Sequence, residues 1–225
     1  MIRLSVSGGW LGLPQDMVSD LVAGATTRSL RTGETLFRAG DVGDGCYRLD
    51  EGLLKVSLIS SEAEERIIAI LKPGAIVGDL AVMDGLPRSA TVVAFTDCKL
   101  HFISRALFEL FAHNHPKIYE HLVKVLATRL RDTDETIASL AFLSMKGRLA
   151  RALLELSENL GQESDSGAIR IPYMISQRDL AAMAGVAREN TNRVLTEWER
   201  MGLVTKSSGH YQINDTERLK EESDW

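Results

Sequence analysis

Gly74-Ala-Ile-Val-Gly78-Asp79-Leu-Ala-Val-Met-Asp-Gly85-Leu-Pro87-Arg88-Ser89-Ala90-Thr91 is the stretch whose reading fixes the first half of the chain. It reads as a strand end, a glycine turn, one short helix from about Asp79, and an Arg-Ser pair leading into the next strand. A helix starting there directs unpaired backbone N–H groups outward, and Arg88 adds a rigid guanidinium fork, so together they form a place for a phosphate. The Asp79 carboxylate can accept a hydrogen bond from a sugar hydroxyl at the same place.

Around this stretch, residues 30–103 consist of short apolar runs separated by Gly and Asp clusters at intervals of roughly ten residues, the pattern of many short strands. Thr35-Leu36-Phe37, Gly45-Cys46-Tyr47-Arg48-Leu49, Leu53-Leu54-Lys55-Val56-Ser57-Leu58-Ile59, Arg66-Ile67-Ile68-Ala69-Ile70-Leu71 and Ala90-Thr91-Val92-Val93-Ala94 are the runs. Glycines recurring at their boundaries supply the corners where a sheet folds back on itself. A small rolled β domain is predicted, preceded by a short helix over 15–23.

The period changes after Pro116. Ile118, Leu122, Val125, Leu126, Leu130, Thr133, Ile137 and Leu140 recur at three- and four-residue steps, with Arg, Asp and Glu on the other faces. One amphipathic helix of about 25 residues is predicted, and at 1.5 Å per residue it spans nearly 40 Å, roughly more than the β domain beside it can cover. Part of its apolar stripe is therefore expected to meet another chain, making a homodimer. Residues 147–160 read as a further helix and 161–167 as a polar loop. Ile169-Arg-Ile171 and Met174-Ile175 read as short strands, and Leu203-Val204-Thr205 and His210-Tyr-Gln-Ile213 flank Ser207-Ser208-Gly209 as a hairpin.

Between those strands, Ser176-Gln-Arg-Asp-Leu-Ala-Ala-Met-Ala-Gly185-Val-Ala-Arg-Glu-Asn-Thr-Asn-Arg-Val-Leu-Thr-Glu-Trp has the layout of a helix-turn-helix. Ser176 is an N-cap with Asp179 three residues on, Leu180 and Ala184 are the first helix's core face, and Gly185 supplies the left-handed turn. Val186, Val194, Leu195 and Trp198 then anchor the second helix. With those buried, Arg188, Glu189, Asn190, Asn192 and Arg193 point outward from its N-terminal half, where a recognition helix reaches base edges in the major groove. Arginine pairs with guanine O6 and N7, glutamate accepts from cytosine N4, and asparagine pairs with adenine. Gln177 joins Ser176 at the start of the first helix, and Lys206, Ser207 and Ser208 in the hairpin wing are available for phosphates. Double-stranded DNA is the expected partner.

Composition sets limits on the rest. The 225 residues carry 26 Lys plus Arg against 31 Asp plus Glu, a net charge of −5, and 44% are hydrophobic, which are ordinary globular values. Residues 144–210 carry nine basic and eight acidic side chains and are the only stretch that is not acidic, while 211–225 carry two and five, and the acidic tail from Asp215 to Trp225 reads as a mobile end. Acidity overall argues against indiscriminate coating of nucleic acid, but a local DNA-reading module needs only local charge. No stretch approaches the ~18 apolar residues of a membrane span, and residues 1–10 lack a basic region followed by an apolar core, so a cytoplasmic protein is expected. Cys46 and Cys98 are far apart, with no second ligand at metal spacing, so neither a disulfide framework nor a metal site is expected. No nucleophile and base pair is visible near the cup at 74–91, which argues against an enzyme that hydrolyses a phosphorylated substrate there.

The segment 74–91 resembles the phosphate-binding cassette of cyclic-nucleotide-binding domains, and with the helix-turn-helix the chain from Leu30 to Ile213 resembles the CRP/FNR family of transcription regulators. The resemblance implies an α+β fold: an N-terminal jelly-roll-like β-roll over 1–115, a long dimerisation helix over 116–143 and a winged helix-turn-helix domain over 144–225. It implies a cyclic nucleotide, cAMP or cGMP, as effector, with Arg88 and Ser89 on the cyclic phosphate. Asp79 stands where the family has the glutamate that holds the ribose 2′-hydroxyl, one methylene shorter, with Gly78 and Leu80 beside it. In the long helix Thr133 and Asp134 align with a Thr-Ser pair of the family that meets the base; the acidic residue could favour an amino-bearing edge. Arg188, Glu189 and Arg193 match the family's base-reading Arg-Glu-x-x-x-Arg, implying a GTG-type half-site in a palindromic operator, with RNA polymerase as a further partner. The cysteine cluster of iron-sulfur sensors is absent. A haem reading would have to use His101, His113, His115 or His121, which otherwise read as solvated helix histidines. A second reading keeps the DNA module and makes the cup vestigial or specific for another small anion.

Overall fold

The computed structural model describes residues 15–165 and 167–223, so residues 1–10, read above for a leader, lie outside the described residues. The chain divides between Arg131 and Asp132 into two compact units.

In the first unit α1 (Gln15–Val22) precedes eight strands: β1 (Thr26–Leu30), β2 (Thr35–Phe37), β3 (Gly45–Glu51), β4 (Leu54–Ile59), β5 (Glu65–Leu71), β6 (Ile76–Val77), β7 (Thr91–Ala94) and β8 (Cys98–Ser104). They form two four-stranded antiparallel sheets, β1-β8-β3-β6 and β2-β7-β4-β5. Side chains alternating inward, among them Leu36, Leu49, Leu54, Leu71, Val92 and Leu100, make one core between the sheets. A second core holds α1 and α3 (Arg105–Asn114) against the roll through Leu21, Cys46, Ile103, Phe108 and Phe111, joined by Ile118 and Leu122. α3 was not read from the sequence; it starts at Ser104, whose Oγ accepts from the Leu107 N–H (3.2 Å). α4 (Ile118–Phe142) is the continuous 25-residue helix expected.

The second unit holds the C-terminal part of α4, then α5 (Met145–Leu160), β9 (Gln162–Glu163), β10 (Ile169–Arg170), α6 (Gln177–Ala184), α7 (Arg188–Arg200), β11 (Val204–Ser207), β12 (His210–Ile213) and α8 (Thr216–Glu222). Trp198, Tyr211, Leu149, Leu153, Leu156, Ile171, Leu180 and Leu219 are all fully buried and form its core.

Three readings of this half need correction. Residues 161–167 are not only a loop: β9 pairs with β10 in a sheet of order β11-β12-β10-β9, closed by a Ser164 N–H to Ala168 bond (2.8 Å). Met174-Ile175 is not a strand. Ile171 and Ile175 both donate to the wing, to Tyr211 and Gly209 (2.9 Å each), but four residues on this side span only two on the wing, so the chain bows out between them and the regular ladder stops at Ile171. The acidic tail, read as a mobile end, forms α8 as far as Glu222, capped by Asp215 and held by Leu219. Asp224 and Trp225 lie outside the described residues.

Candidate functional sites: an anion cup and a recognition helix

The cup begins where β6 stops. Gly78 has φ 81°, so the chain turns left-handed into α2 (Asp79–Asp84), which ends at Gly85 with φ 73°. No side chain caps the start of α2 among the described residues. Residues 86–90 return to β7 and are tied to the loop after β2, with the Gly40 N–H bonding the Arg88 carbonyl and the Arg88 N–H bonding the Asp41 carbonyl (2.8 Å each). That clamp turns the Arg88 side chain inward, where the residue is only 4% exposed.

Its guanidinium lies 4.4 Å above the Phe37 ring, Nη1 donates to the Gly78 carbonyl (2.8 Å) and Nη2 to Asp44 Oδ1 (3.1 Å). Nε is buried without a hydrogen-bond partner among the described residues. Asp44 is itself 68% exposed, so the buried cation is incompletely neutralised. A Cβ at Gly78 would be strained at this positive φ and would push the guanidinium aside, so glycine keeps Arg88 in place. Ser89 is exposed next to it, and Leu80 is exposed on the first turn of α2. The cup therefore presents a fixed cation with an unused donor and an open hydroxyl, which suits an anion.

Asp79 is as buried as Arg88 and is paired with Arg129 of α4, whose Nη1 is 3.1–3.2 Å from both carboxylate oxygens. The sequence reading gave neither Arg129 nor Asp44 a role, and it placed Phe37 in a strand without connecting it to the cup. One turn beyond Arg129 on the same helix are Thr133 and Asp134, both exposed. They fall beyond the division of the chain. Beneath the cup, burial and, secondarily, the Asp79 charge push the Cys46 thiol up to about 12 against the opposing pull of Arg88. Cys98 is buried as well and pushed up to about 11, first by burial.

The histidines sit elsewhere. His101 is on strand β8 rather than a solvated helix, with Nδ1 on the Asp50 carboxylate, and His115 stacks on Phe111 (4.6 Å) at the end of α3. No group of His, Cys, Asp and Glu among the described residues is arranged to hold a metal ion, and no helix there is long and apolar enough to cross a membrane.

In the second unit Ser176 caps α6, its Oγ accepting from the Asp179 N–H (3.0 Å) and donating to the Asp179 carboxylate (2.5 Å). Gly185, with φ 60°, makes the turn into α7. Thr191, Val194, Leu195 and Trp198 are buried, which leaves Arg188, Glu189, Asn192 and Arg193 exposed on the opposite face and Asn190 half-buried beside them. Gln177 Nε2 donates to Asn192 Oδ1 (2.9 Å), joining the two helices on that face, and Arg193 Nη2 donates to Asn190 Oδ1 (3.3 Å). The wing turns at Ser208 (φ 50°) and Gly209 (φ 82°), a two-residue reversal with both φ positive. Ser207 is exposed there, and the half-buried Lys206 places its ammonium 5.7 Å from the Tyr211 ring.

These features define a class, a β-roll with an anion cup followed by a winged helix-turn-helix. Two family profiles match the chain in the same order: the cyclic nucleotide-binding domain over residues 27–115 and the Crp-like helix-turn-helix domain over 147–222. The chain belongs to the CRP/FNR family of DNA-binding transcription regulators. It is 28% identical to a CRP-like cAMP-activated global transcriptional regulator of Mycobacterium tuberculosis, over 96% of both chains. To a cyclic AMP receptor protein of Thermus thermophilus it is 30% identical, over 84% of both. Among solved structures it resembles a CRP/FNR-family transcriptional regulator of Thermus thermophilus (TM-score 0.73, 29% identity, 88% of this chain and 98% of that one). A c-di-GMP responsive global regulator of Xanthomonas campestris shares the fold at 23% identity (TM-score 0.81, 90% and 100%).

Proposed function

We propose that this chain is a homodimeric, cyclic-nucleotide-gated regulator of transcription with no catalytic activity, working in the cytoplasm on a palindromic operator and in contact with RNA polymerase. The observation that carries the gating is Arg88: a buried guanidinium with one donor unused, beside an exposed Ser89 hydroxyl, suits a cyclic phosphate. Gly78, Asp79 and Leu80 line the sugar side, and Thr133 and Asp134 are the pair proposed to select the base, cAMP or cGMP. Support for the dimer comes from α4, where Tyr119, Val123, Leu126, Leu130, Ile137 and Leu140 are exposed, Leu130 and Ile137 by 64% and 60%. Arg188, Glu189 and Arg193, exposed together on α7, are proposed to read a GTG-type half-site with the help of Asn190 and Asn192. Ser176, Gln177, Lys206 and Ser207 are assigned to the phosphates.

Effector that binds better to the arrangement with both recognition helices one DNA turn apart, about 34 Å, raises DNA affinity, and operator DNA must tighten effector binding by the same factor. Calorimetric titration of nucleotide-stripped protein with cAMP and with cGMP tests the cup. Saturable binding that is lost in Arg88→Ala supports the reading, and no binding of either ligand refutes it. Sedimentation of Leu130→Glu should show monomers; an unchanged dimer would place the interface elsewhere.

One observation favours the second reading, in which the cup answers to a different anion. Asp79 already has Arg129 as an ion-pair partner, so a sugar hydroxyl must share an engaged carboxylate. On that reading operator binding is indifferent to cAMP and cGMP.

A further inference from the structure

Lys146 is in an electrostatically adverse place. It lies in the first turn of α5, a turn with no acidic residue and with Arg148 close by, where the positive end of the helix dipole disfavours a cation. Two carboxylates from other elements offset this. Nζ donates to Glu197 Oε1 of α7 (2.5 Å), and Glu222 of α8 adds its charge, so the ammonium is held above its ordinary range by the Glu197 hydrogen bond first. α8 is brought here by a close approach: a Cβ at Gly147 would lie 3.0 Å from the Glu222 carbonyl oxygen. Lys146 and Glu197 remain 38% and 44% exposed, so the pair adds little to stability and its value must lie in what it orients.

What it orients is set by the helix. Glu197 lies four residues after Arg193, the spacing at which an exposed carboxylate and a guanidinium on one helix meet. Arg193 is near enough to push against the Lys146 charge, yet its guanidinium donates to Asn190 Oδ1, back toward the start of α7. We propose that Lys146 is a positioning residue for DNA recognition: by occupying the Glu197 carboxylate it leaves the Arg193 guanidinium free to pair with a base. The inference rests on the reading of Arg193 as a base-reading side chain. Without Lys146, Glu197 turns to Arg193 and competes with the base for the same fork of donors.

The test uses the full chain. Duplexes are selected by the wild-type protein from a randomised pool, with cAMP, with cGMP and with neither, and affinities are measured for the selected duplex and its single-base variants. Arg193→Ala should lose discrimination at one base pair of each half-site. Lys146→Met should lose discrimination at that same base pair by about tenfold, within the range for one base contact. Glu197→Gln should discriminate as the wild type does, and Lys146→Met/Glu197→Gln should recover wild-type discrimination. A merely structural strut would not be rescued by removing its second half, so failure of the double variant to recover overturns the proposal. An equal loss by Lys146→Met on every duplex, with a salt slope smaller by about one, would make Lys146 a phosphate contact and also overturn it. If Arg193→Ala discriminates as the wild type does, the base-reading assignment itself has failed. That outcome is recognised separately, because it is scored on Arg193→Ala alone. Melting curves confirm that each variant is folded.

Discussion

Arg88→Met separates folding from ligand capture, leaving the first nearly unchanged and greatly weakening the second. In the unliganded protein the substitution removes two hydrogen bonds of the guanidinium, to Gly78 and Asp44, each about 1.5–3 kcal/mol for a charged group. It also removes the stacking on Phe37, about 0.5–2 kcal/mol. Against this stands a desolvation penalty of roughly several kcal/mol for a buried cation whose one carboxylate partner is largely exposed to solvent. Methionine fills a similar volume against the Phe37 ring, so the net change should lie within about 2 kcal/mol of zero. For a chain of this size that is a melting shift within about 8 °C, of either sign. Ligand capture behaves differently, because a cyclic phosphate meets no cation in the variant. The one charge-assisted bond that the unpartnered Nε can make corresponds to about 1.5–3 kcal/mol, or roughly 10–10²-fold in Kd. Calorimetry with cAMP and cGMP reads the second number, and thermal melting with and without 1,000-fold excess ligand reads both. Nucleotide affinity within tenfold of wild type in Arg88→Met would refute the cup as described. A melting temperature lowered by much more than the stated range would refute the claim that the buried charge is incompletely compensated.

Other expectations concern neighbouring parts of the molecule. Gly78→Ala should lower both stability, by about 1–2 kcal/mol for a side chain at positive φ, and nucleotide affinity, since its Cβ displaces the Arg88 guanidinium; urea unfolding and calorimetry check the two. Trp198→Ala should cost about 3–5 kcal/mol in the DNA-reading unit, seen by circular dichroism melting. Trp198→Phe should cost far less, because the indole N–H is buried without a partner among the described residues. Asp97 is held below its ordinary 3.8 by the Thr32 N–H first and the Thr32 hydroxyl second (2.8 and 2.9 Å). A carboxyl with a lowered folded value stabilises the fold above its unfolded pKa, and that contribution disappears as pH falls through the folded value. Thr32→Ala keeps the N–H and loses the hydroxyl, so carbon-13 NMR should show Asp97 titrating higher but still below 3.8; an unchanged titration would refute the assignment.

The residues that the sequence could announce were those with local rules. Period-2 runs gave the strands of the roll, Gly78, Gly185 and the Ser207–Gly209 turn gave the reversals, and the Ser176/Asp179 pair gave the start of α6. Long-range partners have no such rule. Arg129 meets Asp79 across 50 positions, Asp44 meets Arg88 across 44, and Lys146 meets Glu197 across 51, and nothing in the local pattern of either partner marks the other. The misread elements are explained by size. α8 buries Leu219 alone, too little to show a period, and β9 is two polar residues whose only strand character is the hydrogen bonds it makes to β10. Met174-Ile175 misled because apolar composition was visible, while the slip by which Ile175 rather than Tyr173 meets Gly209 is a long-range matter of register.

The thiol beneath the cup bears on what kind of signal this protein can hear. With Cys46 pushed up to about 12 and sealed from solvent, the reactive thiolate is scarcely populated at pH 7. Peroxide and disulfide reagents attack the thiolate, so an oxidative burst passes over the cup without marking it, and Cys98 offers scarcely more. Reducing agent is thus unnecessary to keep the cup receptive, and alkylation of the folded protein at neutral pH should label neither cysteine until the roll opens, which turns thiol labelling into a clock for its unfolding.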